Sequence, residues 1–174
     1  NDFTLRNCQI TLSDSDGQAI KSVLCDSTNV VSRLTVENCK FIGDTSAGPV
    51  SAVEINGGSD QVIKNNLFWG NFDTTTGAAV YNSGDAATRV LIEGNHIQNK
   101  AATSLVALRV QTTTTGAIRY NTLEITSDTA PTGTSICIAP SGANINLYEN
   151  YCSTDSGEVG SLAGSAISGG TPST

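Results

Sequence analysis

Short apolar stretches bounded by Gly, Asn and Ser recur along the whole chain, and none of them repeats with a helical period. Alternation of this kind predicts β-strands. Six segments share one pattern of apolar, variable, variable, Asn or Cys, variable, apolar. They are Leu5-Arg-Asn-Cys-Gln-Ile10, Val36-Glu-Asn-Cys-Lys-Phe41, Ile63-Lys-Asn-Asn-Leu-Phe68, Ile92-Glu-Gly-Asn-His-Ile97, Ile118-Arg-Tyr-Asn-Thr-Leu123 and Leu147-Tyr-Glu-Asn-Tyr-Cys152. Their fourth positions fall at residues 8, 39, 66, 95, 121 and 150, so the spacings are 31, 27, 29, 26 and 29. A fixed motif at variable spacing places the length changes in loops while the strands keep register. A period near 28 residues suits a large, three-sided solenoid coil.

A second apolar centre follows each motif, at Ile20, Val53, Val80, Leu108, Ile136 and Ala166, with Gly close to nearly every one. The residue after each motif's first apolar position is Arg6, Glu37, Lys64, Glu93, Arg119 and then Tyr148, so the charge alternates over the first five. Equivalent residues on stacked parallel strands sit about 4.8 Å apart, where opposite charges attract and like charges repel. The row therefore specifies register. The fourth motif position holds Cys8, Cys39, Asn66, Asn95, Asn121 and Asn150. Asn tolerates the left-handed backbone of a tight bend, and stacked amides can pass hydrogen bonds along the axis. The pattern places this row at a bend between two sheets. Ile10, Phe41, Phe68, Ile97, Leu123 and Cys152 would point into the core.

Composition narrows the setting. The net charge of −7 argues against nucleic acid, whose binding relies on clustered Lys and Arg. Charged residues make up 14% of the chain, below the usual quarter, while Ser, Thr, Asn and Gly abound. No apolar run reaches the roughly 20 residues that span a bilayer, so no membrane insertion is expected. The 174 residues suffice for one domain, read as a β-helix over residues 1–168 with a C-terminal tail at 169–174.

A repeat this dense in Asn-x-apolar motifs resembles the pectate-lyase-like β-helix superfamily of polysaccharide lyases, glycosidases and phage tailspikes. The resemblance covers roughly residues 3–168 and implies an all-β, right-handed, single-stranded parallel β-helix of about six rungs of about 28 residues. It is specific for architecture and carries little about activity. The lyase branch would imply an Asp cluster holding Ca²⁺ and a basic residue to take the proton. No motif of that machinery transfers to named positions here, although Arg109 projects outward two repeats from the equivalent Glu54.

Candidate chemistry is sparse. Acidic residues gather in the loops after the core positions, at Asp14, Asp16, Asp44, Asp73, Asp128 and Asp155. Asp14, Asp44 and Asp73 are the candidates for acid–base work on a glycosidic bond, and the same residues are what ordinary turns contain. Trp69 and Phe72, in Leu67-Phe-Trp-Gly-Asn-Phe72, form an aromatic cluster suited to a sugar ring, to another subunit, or to packing on their own loop. Cys8 and Cys39 stand one repeat apart at the same position, compatible with a disulfide and equally with two buried thiols. Cys25 is read as an exposed or intermolecular thiol. The alternation around Cys137 argues against a local bond to Cys152. The sole histidine, His96, is read as a surface residue, and no metal site is expected.

Two functions fit these residues. One is a non-catalytic structural or recognition module of an extracellular or virion-surface protein, of tailspike, fibre or capsid-decoration type, that contacts glycans. It needs no cofactor, and other subunits, in a homo-oligomer or larger assembly, would cover its open ends. The other is a polysaccharide lyase or glycosidase that uses the loop carboxylates, the only case in which Ca²⁺ enters.

Overall fold

The computed structural model describes residues 2–12, 21–25, 31–43, 51–72, 78–82, 87–100, 106–111, 114–126, 136–141 and 144–154. Asp14, Asp16, Ile20, Asp44, Asp73, Asp128, Asp155, Ala166 and the tail at 169–174 lie outside these residues. Within them the protein is all-β, with no helix, and its strands form parallel sheets stacked as a solenoid.

The first sheet contains β1 (Asp2–Arg6), β4 (Arg33–Glu37), β7 (Val62–Lys64), β10 (Val90–Glu93), β13 (Thr115–Arg119) and β16 (Asn144–Tyr148), in that order. The second contains β2 (Gln9–Leu12), β5 (Lys40–Gly43), β8 (Leu67–Gly70), β11 (His96–Asn99), β14 (Thr122–Ile125) and β17 (Tyr151–Thr154). The third contains β3 (Lys21–Cys25), β6 (Ser51–Ile55), β9 (Val80–Asn82), β12 (Val106–Gln111) and β15 (Ile136–Ser141). Each motif therefore contributes the end of a first-sheet strand, a bend, and the start of a second-sheet strand.

Alternation along each strand separates an apolar inner row from a polar outer one. In the first sheet Leu5, Val36, Ile63, Ile92, Ile118 and Leu147 are paired in register. In the second, Ile10, Phe41, Phe68, Ile97, Leu123 and Cys152 form the matching row. Phe41 and Phe68 stack with their ring centres 4.9 Å apart and planes 6° from parallel. The third row is Val23, Val53, Val80, Leu108 and Ile138. Ile138, two residues past the expected centre at Ile136, aligns with Leu108, and Ile136 itself pairs with Val106; Ile20 lies outside the described residues. Fixed strand lengths predict such centres poorly, because the preceding loops differ in length.

The bend between the first two sheets differs from the sequence expectation in one respect. The left-handed residue is the one before the Asn, not the Asn itself: Asn7, Asn38, Asn65, Gly94, Tyr120 and Glu149 have φ of 55, 53, 54, 64, 58 and 44°. The following residue is thereby turned inward, and Asn66, Asn95 and Asn121 are buried. Neighbouring strands β10 and β13 of the first sheet also meet closely at glycine: a side chain on Gly116, at φ 140°, would collide with the Val90 backbone.

Candidate functional site

The outer face of the first sheet is a field of alternating charge. Arg6, Glu37, Lys64, Glu93, Arg119 and Tyr148 are successive register partners. Glu37 holds two cations at once, with Arg6 Nε at 2.8 Å and Lys64 Nζ at 3.1 Å. Arg119 donates to Glu93 in the same row. The Lys64 hydrogen bond and the charges of Lys64 and Arg6 hold the Glu37 carboxyl below its ordinary range.

A second row lies at the other end of the same strands, and sequence reasoning missed it. Arg33 pairs with Asp2 at 2.6 Å, and Arg89 donates through Nε and Nη2 to the two oxygens of Asp60, at 2.6 and 2.7 Å. Arg33 also feels the charge of Asp60, so the row reads Asp2, Arg33, Asp60, Arg89. All four stand six positions before Cys8, Cys39, Asn66 and Asn95 respectively, a constant offset that would have revealed them. Hydrogen bonds from the arginines lower the carboxyls of Asp2 and Asp60 and raise Arg33 and Arg89. The two rows carry opposite signs on each strand, so neighbouring strands present opposed dipoles. Sliding one strand past its neighbour by a whole repeat would set like charge against like in both rows.

The bend carries a continuous amide ladder. Asn95 Oδ1 accepts the backbone N–H and the Nδ2 of Asn66, each at 3.0 Å, and Asn121 Oδ1 accepts the same two groups from Asn95 at 2.9 and 3.0 Å. Asn150 does this for Asn121, at 3.1 and 2.9 Å. Each Nδ2 also reaches back to a carbonyl: Asn66 to Val36, Asn95 to Ile63, Asn121 to Ile92 and Asn150 to Ile118. Cys39 continues the scheme with weaker groups, its N–H donating to Asn66 Oδ1 at 2.9 Å and its Sγ to Leu5 O at 3.7 Å. Cys8 and Cys39 are unbridged thiols, not the disulfide the repeat allowed, and each Sγ–H donates to a carbonyl. Burial pushes the Cys39 thiol up.

Other cysteine expectations change as well. Cys25 is 2% exposed and belongs to the core, because β3 turns it inward beside Val23. Cys152 is disulfide-bonded, while the side chain of Cys137 is not among those described.

The aromatic expectation needs a larger correction. Phe72 is fully buried and makes no outer surface, since it continues the inward alternation of Phe68 and Gly70. Its backbone exchanges hydrogen bonds with the Asn99 side chain at 3.0 and 3.1 Å. Trp69 does face outward, between Ile42 and Gln98, but Lys100 Nζ lies 4.7 Å from its ring centre and covers it. His96 Nε2 is 3.4 Å from Glu124. The exposed aromatic surface is elsewhere: Tyr120, Tyr148 and Tyr151 are 52, 46 and 62% exposed on the bend between β13 and β14 and between β16 and β17. Tyr120 and Glu149 are adjacent left-handed bend residues, and Arg119 lies over the Tyr120 ring at 5.6 Å.

A third polar group lies on the face of the third sheet turned away from the core. Glu54, Tyr81 and Arg109 are successive register partners, as the sequence placed Glu54 and Arg109 two strands apart. Glu54 is only 3% exposed and accepts a hydrogen bond from Ser51 at 3.4 Å. Arg109 Nε is buried without a hydrogen-bond partner among the described residues. Also among them, no three His, Cys, Asp or Glu side chains are grouped to hold a metal ion, and no helix is long and apolar enough to cross a membrane. Asp14, Asp44 and Asp73 lie outside the described residues.

No protein-family model matches the chain, and searches of curated proteins and of solved structures find no match.

Proposed function

We propose that the chain is a non-catalytic structural or recognition module of an extracellular or virion-surface protein, of the tailspike, fibre or capsid-decoration kind. In this reading it is a right-handed, single-stranded β-helix of about six coils of about 28 residues, resembling the pectate-lyase-like superfamily. Its column presents glycan-contacting side chains, and other subunits cover its ends.

The observation that carries this reading is geometric: the outer carboxylates Asp2, Glu37 and Asp60 are engaged in ion pairs that run from strand to strand. Asp2, Glu37 and Asp60 are all held below their ordinary range by arginine or lysine on the next strand. A glycosidase's general acid needs the opposite, a carboxyl raised so that it keeps its proton near neutrality. These groups therefore brace the stack. Glycan contact falls to the tyrosine corner, because flat, exposed rings beside hydrogen-bonding groups suit sugar faces. Tyr120 and Glu149 also hold left-handed backbone where other bends use Asn or Gly, and strain of that kind gathers at functional positions.

The test is to incubate the chain with acidic and neutral polysaccharides, measuring retention by affinity electrophoresis and new chain ends by reducing-sugar assay. Retention without cleavage, lost in Tyr148→Ala and Tyr151→Ala, supports the module. Cleavage overturns it.

The second reading is a polysaccharide lyase or glycosidase using Asp14, Asp44 or Asp73, with Ca²⁺ in the lyase case. It draws support from the Glu54, Tyr81 and Arg109 row, where a guanidinium nitrogen is buried with no hydrogen-bond partner among the described residues. Cleavage abolished by Asp14→Asn, Asp44→Asn or Arg109→Lys would establish it.

A further inference from the structure

The outer face of the first sheet carries three rows of side chains along the stack. Asp2, Arg33, Asp60 and Arg89 form one edge, and Arg6, Glu37, Lys64, Glu93 and Arg119 the other. Between them run Thr4, Thr35, Val62, Leu91, Ala117 and Asn146, register partners from strand to strand. Alternation within an edge specifies register whether or not the two edges are in phase. Here they are out of phase. Asp2 and Arg6, Arg33 and Glu37, Asp60 and Lys64, and Arg89 and Glu93 each stand four residues apart with opposite charge.

We infer that this face packs on the same face of a second copy of the chain, about a two-fold axis parallel to the column. Such an axis keeps each strand opposite its own counterpart and reverses its direction. Asp60 then meets Lys64 of the second copy, Arg89 meets its Glu93, Arg33 its Glu37 and Asp2 its Arg6, and each pair is repeated on the other side of the axis. Val62, Leu91 and Ala117 meet themselves on the axis, while Tyr148 meets Asn144 at the rim. An apolar centre between charged rims is the division that specific interfaces keep. The contact runs along the side of the column, so it is the same however far the stack continues in either direction. It goes beyond the recognition reading and does not depend on it.

Two alternatives fit worse. A slip of one strand sets like against like throughout: Asp60 against Glu93, Arg89 against Arg119, Lys64 against Arg89 and Glu37 against Asp60. Opposing the columns about an axis between β4 and β7 keeps opposite charges together, but it places Val62 on Thr35 and Leu91 on Thr4, and the apolar centre is lost. The ion pairs within the column leave these groups within reach of a second copy. Arg89 is 66% exposed, Asp60 41% and Lys64 34%. Glu37, at 15%, is already covered by Arg6 and Lys64, so Asp60 and Arg89 supply most of the attraction. Six strands about 4.8 Å apart, each five residues of about 3.3 Å, make a patch of roughly 29 by 16 Å. That is the small end of specific interfaces, so the dimer belongs to micromolar concentrations.

The test uses the intact chain in light scattering coupled to size exclusion, at low salt and high micromolar concentration. The expected mass is twice 17.9 kDa. High salt should weaken association at least about tenfold, because it screens exposed charges. Leu91→Asp, at an outward position of β10, should weaken it as much by setting two carboxylates face to face on the axis, while the circular dichroism of the strands is unchanged. Ala117→Cys should be crosslinked to itself by a short bismaleimide, since packed sheets lie about 10 Å apart, beyond disulfide reach but within that of the reagent. Gln98→Cys, on the outer face of the second sheet, should give no more crosslink than the unsubstituted chain. A single-chain mass overturns the inference, as does a dimer that either salt or Leu91→Asp leaves unchanged. A dimer weakened by both, without excess crosslink from Ala117→Cys, has its columns opposed and overturns the parallel arrangement.

Discussion

Asn66 and Asn95 are joined by two hydrogen bonds to one atom: the backbone N–H and the side-chain Nδ2 of Asn66 both end on Asn95 Oδ1, at 3.0 Å each. Asn95 repeats the arrangement toward Asn121, so the bend is tied by amides that are each donor and acceptor.

Asn95→Ala should therefore destabilise by about 2 kcal/mol or more, because it strips the side-chain partner from the buried Asn66 N–H and from the Ile63 carbonyl, at about 1–3 kcal/mol for each group left unmet, while Asn121 Oδ1 keeps the residue 95 backbone N–H. Urea unfolding with an unchanged m-value checks this. A loss under 1 kcal/mol would mean that water replaces the ladder.

Tyr120 sits at φ 58°, in the left-handed bend position that Asn holds at Asn7, Asn38 and Asn65. A non-glycine residue in this conformation carries about 1–2 kcal/mol of strain, which Asn relieves in part. Tyr120→Asn should raise stability by about 0.5–1 kcal/mol, visible as a higher melting temperature, and should lower polysaccharide retention. Unchanged retention would take Tyr120 out of the glycan site.

Legibility in the sequence followed from periodicity. The row from Arg6 to Arg119 could be read because its members stand at a fixed distance from the Asn and Cys positions. The Asp2, Arg33, Asp60 and Arg89 row has an equally fixed offset and went unread because the charges precede the motif. Asn was assigned the left-handed bend because it is suited both to that backbone and to an amide ladder; here the ladder holds Asn66 while Asn65 takes the bend. Counting by two from Phe68 puts Phe72 inside, which reading it with Trp69 as one aromatic cluster overlooks. The exposure of Tyr148 and Tyr151 depends on which neighbours cover them, and no local pattern encodes that.

Acid should weaken the column. The carboxyls of Asp2, Glu37 and Asp60 have folded values below their unfolded ones, chiefly through hydrogen bonds from Arg33, Lys64 and Arg89. Their contribution is complete above the unfolded carboxyl range, near pH 4, and is lost as pH falls through the lower folded values. The melting temperature should be level from about pH 5 to 8 and fall below about pH 4. A melting temperature that holds to pH 2 would contradict the assignment.

Glu37→Lys should destabilise more than Glu37→Gln, since it places a third cation between Arg6 and Lys64. The difference between the two variants should shrink in high salt, which screens exposed charges. A difference insensitive to salt would point to packing instead.

Scalar coupling across hydrogen bonds in the NMR spectrum reads out the stacking of the motifs, one over another in parallel register. Couplings are expected from the amide nitrogens of Lys40, Leu67, His96, Thr122 and Tyr151 to the carbonyl carbons of Cys8, Cys39, Asn66, Asn95 and Asn121, in that order, across N···O distances of 2.8, 2.9, 2.9, 2.9 and 2.9 Å. Couplings from these nitrogens to other carbonyls, in an antiparallel or shifted pattern, would contradict it.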